Sequence, residues 1–239
     1  TRTATEQRRK LLIPYLVAGD PNLEITEALM HKLVEKGADV IELGIPFSDP
    51  SSDGPVIQRG VERALKGGTT LKQTLDLVAR FRQDNRDTAI VLMGYLNPVE
   101  IMGYDAFVSA ASKAGVDGVL IVDMPPAESS SLHQRLREAG LGTIYLVAPT
   151  TSATRTTQII ERCSGYLYYV SLKGGTGAAL SDTQAVADKI ANLRERTDLP
   201  LVIGFGIKGA DSARAMGSLA DGVIIGSALV ERIAALSTD

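Results

Sequence analysis

Short apolar runs rich in Val, Ile and Leu alternate along the chain with longer stretches in which apolar residues recur every three or four positions. The first pattern predicts strands and the second predicts helices with one buried face. The strand runs are Leu11 to Val17, Val40 to Gly44, Ile90 to Gly94, Gly118 to Val122, Thr143 to Val147, Tyr166 to Val170, Leu201 to Gly204 and Gly222 to Ile225. Several are almost uninterrupted, as parallel strands covered on both faces should be. Between them, Ile25, Leu29 and Leu33 keep helical spacing, as do Leu71, Leu75 and Val78, and later Val186, Ile190 and Leu193.

Three strands open on similar phrases: Gly37-Ala38-Asp39-Val40, Gly115-Val116-Asp117-Gly118 and Leu219-Ala220-Asp221-Gly222. Each reads as a helix ending in a turn that feeds a strand, so the repeat argues for one repeated architecture. Eight strand-helix pairs in 239 residues predict a single (β/α)8 TIM barrel over residues 1–239, with an open doubly wound sheet as the alternative. No Gly-x-Gly-x-x-Gly follows the first strand, which weakens a dinucleotide-binding version of that sheet.

Composition narrows the partners. The formal charge of -3 and the scattering of Lys and Arg among acids argue against a nucleic-acid or anionic-membrane surface. Cys163 is the sole cysteine, so an intrachain disulfide is impossible and a cytoplasmic location is expected.

In a barrel of this kind, chemistry gathers just beyond the C-terminal ends of the strands. That places Asp20, Glu42, Asp53, Tyr95, Asn97, Asp123 and the loops at Ser171 to Gly177, Phe205-Gly206 and Gly226-Ser227 under suspicion. Glu42 stands out, because an ionised carboxylate inside an apolar strand is costly unless it finds a partner or takes up a proton. Asp53 lies eleven residues on, in a Ser/Asp/Gly/Pro loop. Two acids in such different surroundings make a candidate acid/base pair by the logic of separated pKa values.

Glycines in three of these loops, Gly177, Gly206 and Gly226 with Ser227, predict a phosphate cradle of backbone N-H groups that needs no arginine. Asp20-Pro21 and Asp49-Pro50 read as turns, and the spacing of the acids calls for neither a metal nor any other cofactor. His31 and His133 fall in helical stretches, which leaves proton transfer to the carboxylates. Lys173 sits in a glycine loop suited to a lid rather than to a desolvated Schiff-base amine, and Cys163 reads as a small core residue.

Pro14-Tyr15, Ala18 to Pro21, Glu42 to Pro50, Asp53 to Gln58, Lys173 to Gly177, Gly204 to Ile207 and Gly226 to Ala228, in that order, resemble the tryptophan synthase alpha subunit family over nearly the whole chain. The resemblance implies a lyase that cleaves indole-3-glycerol phosphate to indole and glyceraldehyde 3-phosphate in tryptophan biosynthesis. It implies Glu42 as general acid/base and Asp53 as the carboxylate on the indole N-H. Gly177, Gly206, Gly226 and Ser227 match phosphate ligands. Tyr15, Met93, Tyr95, Val122, Leu146, Tyr168, Phe205 and Ile224 match the indole pocket, and Thr176 matches a lid threonine that steadies Asp53.

The same resemblance implies a pyridoxal-phosphate beta subunit as partner in an α2β2 assembly, met through Asp49, Pro50, Asn97 and Pro125. Ser51-Ser52 and Gly175 depart from the family's usual residues, so a more loosely packed Asp53 loop and a lid more costly to order are expected.

Overall fold

A computed structural model describes residues 6–7, 9–171, 180–204 and 206–237. Nine parallel strand segments form one sheet: β1 (Leu11–Val17), β2 (Val40–Gly44), β3 (Ala89–Gly94), β4 (Gly118–Ile121), β5 (Gly142–Thr143), β6 (Leu146–Val147), β7 (Leu167–Val170), β8 (Leu201–Gly204) and β9 (Gly222–Ile225). Their order is β5-β4-β3-β2-β1-β9-β8-β7-β6. The two ends of that order are consecutive in the chain, so the sheet closes on itself.

The closure corrects one expectation. Thr143 to Val147 is not a single strand but two short segments, β5 paired with β4 and β6 paired with β7. The residues between them pair one to each side, Ile144 N-H donating to Val119 O at 3.0 Å and Tyr168 N-H to Tyr145 O at 3.2 Å. Here the stagger that a closed barrel demands is taken up, so the nine segments make eight staves. Elsewhere the strand limits match the reading to within a residue. Val122 and Tyr166 lie just outside their strands.

Side chains alternate across the sheet because the strand period is two. Inward positions such as Leu11, Ile13, Tyr15, Val91, Leu120, Tyr168, Val202 and Ile224 pack together inside the barrel. Outward positions such as Leu16, Ile41, Leu43, Ile90 and Leu92 pack under helices, with Leu75, Val78 and Phe81 of helix Leu71–Asp84. That helix starts on a reciprocal cap, the Thr70 hydroxyl accepting from Gln73 N-H at 3.2 Å and the Gln73 side chain accepting from Thr70 N-H at 3.0 Å. Helix Leu23–Glu35 departs from its simple stripe: Ile25, Leu29 and Leu33 are half-buried, while Thr26 and Met30 are buried.

The repeated Asp phrases have a structural cause at the N-terminal end of the barrel. Asp39 N-H donates to Leu12 O, and Leu12 N-H donates back to Asp39 Oδ2, both at 2.9 Å. Asp117 does the same with Ile90, and Asp221 with Leu201. Ser164 takes the fourth place, its N-H donating to Thr143 O at 2.7 Å and its hydroxyl accepting from Thr143 N-H at 2.9 Å. Each even stave is thus clipped to the start of the preceding odd one. An arginine braces each carboxylate clip: Arg9 on Asp39, Arg82 on Asp117 and Arg194 on Asp221.

Among the described residues, no helix is long and apolar enough to cross a membrane.

Candidate active site

Strand parity puts Glu42 inside the barrel. Val40, Glu42 and Gly44 share one face of β2, and Ile41 and Leu43, on the other, join the outer core. Glu42 is fully buried, and neither carboxylate oxygen has a hydrogen-bond partner among the described residues. Burial alone pushes its pKa from the ordinary 4.5 up to about 8. A carboxyl group in that state holds a proton at neutral pH and can deliver it.

Three phenols share the interior with it. Tyr15 on β1 is its register partner, and Tyr166 and Tyr168 reach in from the opposite side of the barrel. All three are held well above the usual tyrosine range, first by burial and then by the charge of nearby carboxylates, Glu42 among them. The Tyr166 hydroxyl is buried and lacks a partner among the described residues.

Two glycines make room for the other two phenols. A Cβ on Gly44 would lie 2.2 Å from the Tyr15 hydroxyl, and a Cβ on Gly204 would lie 2.2 Å from that of Tyr168. Both rings therefore lean toward the mouth across the inward glycine of the next stave.

Asp53 sits above, on the loop between β2 and helix Pro55–Lys66, whose first residue is a proline suited to that position. The Tyr95 hydroxyl donates to Asp53 Oδ2 at 2.9 Å and accepts from Ser52 N-H at 3.1 Å. Gln58 Nε2 donates to Asp53 O at 2.8 Å, and the Phe47 ring lies 5.4 Å from that of Tyr95. Burial raises the Asp53 pKa, and the Tyr95 hydrogen bond opposes the rise. Ser51 and Ser52 are exposed, so they leave the loop held by Tyr95 and Gln58 rather than by packing of their own.

Of the eight residues expected around an indole, Tyr15, Tyr168 and Ile224 belong to the interior cluster, with Met93, Val122 and Leu146 packed against it. Tyr95 closes the group through Asp53. Phe205 lies outside the described residues, as do Gly177, Thr176, Lys173 and Gly175. A cavity of about 460 Å³ opens beside Val122 and Leu146, continuing to Ile121, Met124, Tyr145 and Val170. Gly206, at φ 73°, follows β8, and Gly226 and Ser227 lead from β9 into helix Ser227–Ala234. That helix presents its N-terminal N-H groups at the mouth, a favourable place for an anion.

The remaining acids have structural work. Asp20 is buried and makes a two-point ion pair with Arg63 at 2.7 and 3.0 Å. Asp123 Oδ1 accepts from Leu96 N-H at 2.8 Å, tying two loops together. His31 stacks on Phe81, and His133 lies on helix Ser130–Glu138. Cys163 is half-buried against the core between the sheet and its helices, donates to Tyr166 O at 3.1 Å, and has its thiol pushed up to about 12 by burial.

Sequence reasoning passed over Gly44, Gln58 and Tyr166 as parts of the site. Tyr166 was within reach, since it shares strand parity with Tyr168. Gly44 and Gln58 act through contacts that only the folded loop defines.

The fold and the site define a (β/α)8 barrel with a fully buried carboxyl group of raised pKa at the bottom of an aromatic pocket and a second carboxylate at its rim. A family model described as tryptophan synthase alpha chain matches residues 2–239, and the chain belongs to that family. It is 58% identical over 226 residues to the tryptophan synthase alpha chain of Thioalkalivibrio sulfidiphilus, covering 95% of this chain and 85% of that one. The crystal structure of tryptophan synthase subunit alpha from Legionella pneumophila superposes with a TM-score of 0.92 at 43% identity, covering 100% of this chain and 89% of that one. A tryptophan synthase complex from Pyrococcus furiosus matches with a TM-score of 0.86 at 36% identity, covering 94% of this chain and 90% of that one.

Proposed function

We propose that Glu42 and Asp53 carry out the retro-aldol cleavage of indole-3-glycerol phosphate in this chain, a carbon-carbon lyase of tryptophan biosynthesis. The observation that carries this reading is Glu42, fully buried inside the barrel with no hydrogen-bond partner among the described residues, so that burial raises its pKa to about 8. Cleavage needs an electron sink, and an indole protonated at C3 becomes one. Glu42 donates that proton and then, as carboxylate, takes the proton of the hydroxyl on the adjacent side-chain carbon. The C-C bond breaks, its electrons return to the ring, and indole leaves beside glyceraldehyde 3-phosphate. No net proton is consumed.

Asp53 accepts the indole N-H and stabilises the positive charge that grows on the ring nitrogen, an electrostatic contribution that increases toward the transition state. Tyr15, Met93, Tyr95, Val122, Leu146, Tyr168, Phe205 and Ile224 surround the ring. Gly177, Gly206, Gly226 and Ser227 hold the phosphate, and Thr176 is assigned the role of steadying Asp53. The reaction takes place in the cytoplasm.

The complex from Pyrococcus furiosus supports a beta subunit as partner. Asp49 and Asn97 are exposed at the mouth, and Pro50 and Pro125 are half-buried there. Ile101, on helix Leu96–Met102, is 79% exposed, an uncovered apolar side chain on the same helix as Asn97. Such a residue suits a protein contact.

The test is indole release from indole-3-glycerol phosphate by the purified chain, alone and with a beta subunit, compared with Glu42→Gln. The expected result is turnover that the beta subunit increases and that the substitution removes. No indole from the folded chain in either state, or normal turnover in Glu42→Gln, overturns the reading.

A further inference from the structure

Tyr15 occupies the middle of a row across three neighbouring staves. On one side it is in register with Glu42. On the other, Pro14 pairs with Ile225, which sets Gly226 beside Tyr15. A Cβ on Gly226 would meet the Tyr15 Cδ1 at 3.6 Å and its Cβ at 3.7 Å, so the base of the ring rests against that glycine. Its hydroxyl lies across Gly44, next to Glu42 on the same face of β2. The phenol thus bridges the Glu42 strand and the loop at Gly226.

Adjacent strands are ~4.8 Å apart, so Glu42 and Gly226 are separated by roughly 10 Å across the row. Indole-3-glycerol phosphate presents its groups in the same sequence: the carbon whose bond breaks, a hydroxyl-bearing carbon, then the phosphate-bearing carbon. With the first at Glu42 and the last at Gly226, the middle carbon faces Tyr15. The Tyr15 hydroxyl makes no hydrogen bond to any described residue, and both Asp53 and Glu42 lie near enough to act on it. It opens on the mouth beside Gly44, where a bound ligand displaces water and can supply its partner.

We infer that the Tyr15 hydroxyl is a specificity-determining contact for the middle hydroxyl of the glycerol chain, distinct from the ring's packing against indole. This rests on the reading of Glu42 and Gly226 given above. The contact holds the chain extended between proton transfer and phosphate, and discriminates against phosphates whose chain lacks that hydroxyl. Hydroxyl recognition of this kind penalises an analogue without the group, because the phenol loses water to the bound ligand and gains no partner in return.

The test is Tyr15→Phe, which removes one oxygen and keeps the ring. Two readouts are needed: kcat/KM for indole-3-glycerol phosphate and the Kd of indole-3-propanol phosphate, which lacks both chain hydroxyls. The expected result is a fall in kcat/KM of about fivefold to tenfold, with the Kd of the propanol analogue within about twofold of wild type. Equal losses for both ligands would assign Tyr15 to packing, and an unchanged kcat/KM would leave its hydroxyl without a role; either overturns the inference alone. A wild-type chain that releases no indole would overturn the lyase reading with it.

Discussion

The Tyr95 hydroxyl donates to Asp53 Oδ2 at 2.9 Å while it accepts from the neighbouring Ser52 N-H at 3.1 Å. One side chain immediately after β3 thereby fixes both the carboxylate and the backbone of the loop that carries it. The loop has little else. Gln58 holds the Asp53 carbonyl, and Ser51 and Ser52 face outward.

Tyr95→Phe therefore loosens Asp53 without emptying the pocket. The expected outcome is a drop in kcat/KM of roughly tenfold, the scale of one hydrogen bond to a charged group. Thermal unfolding should change little. Steady-state indole release together with a melting curve checks both parts.

Glu42 links stability to pH in a definite direction. Its folded pKa, about 8, is raised above the ordinary 4.5, so the folded state binds the extra proton between those values. Stability is full below about 4.5 and falls as pH rises toward 8, at up to about 1.4 kcal/mol per pH unit. Glu42→Gln should remove that decline, so its stability advantage over wild type grows across this window. Urea unfolding of both proteins at several pH values measures it.

The same proton shapes the rate. Because Glu42 must begin protonated, kcat/KM should fall above about pH 8, and it should fall again in acid where Asp53 takes up a proton. In Asp53→Asn, the residual activity should lose the acid limb and keep the alkaline one. A pH-rate profile of the two chains checks the assignment.

The clips at the closed end of the barrel predict stability effects without catalytic ones. Asp117→Ala leaves Ile90 N-H without its acceptor and strips Arg82 of its carboxylate. A cost of about 1–3 kcal/mol is expected, with kcat unchanged at temperatures where the variant is folded. Asp117→Asn keeps an acceptor oxygen and should recover part of the loss. Denaturant titration with parallel indole assays separates the two quantities.

Ile101 offers a test of the partner face. Ile101→Asp places a charge on a side chain that is 79% exposed and touches no catalytic group. The chain alone should keep its activity and stability. Its affinity for the beta subunit should weaken by about tenfold or more, the order expected for an apolar contact residue. Titrating the beta subunit while following activation provides the readout.

Much of the architecture was legible because strands and helices of a parallel barrel declare themselves by period. β1, β2, β8 and β9 fall where their apolar runs lie. The fifth stave broke the pattern, since the residues from Thr143 to Val147 are apolar enough for one strand but must pair in two directions to close the sheet. The Asp phrases before β2, β4 and β9 were visible as a repeat, yet their partners, Leu12, Ile90 and Leu201, are remote in sequence. Ser164 is the same device in another residue type, and sequence alone could not equate it with an aspartate.

The carboxylate pair divides in the same way. Glu42 was marked by sequence itself, since an ionised carboxylate inside an apolar strand is costly, and strand period put it on one face with Val40 and Gly44; that this face lines the barrel interior came from the closed sheet. What Asp53 does was decided by tertiary structure. A loop acid has no preferred environment until Tyr95, Ser52 and Gln58 come together around it. Likewise, Gly44 and Gly204 are merely small in sequence, and become the space for two phenols only when neighbouring staves are in register. Local period sets which face a residue occupies, whereas contact between distant strands sets what it meets there.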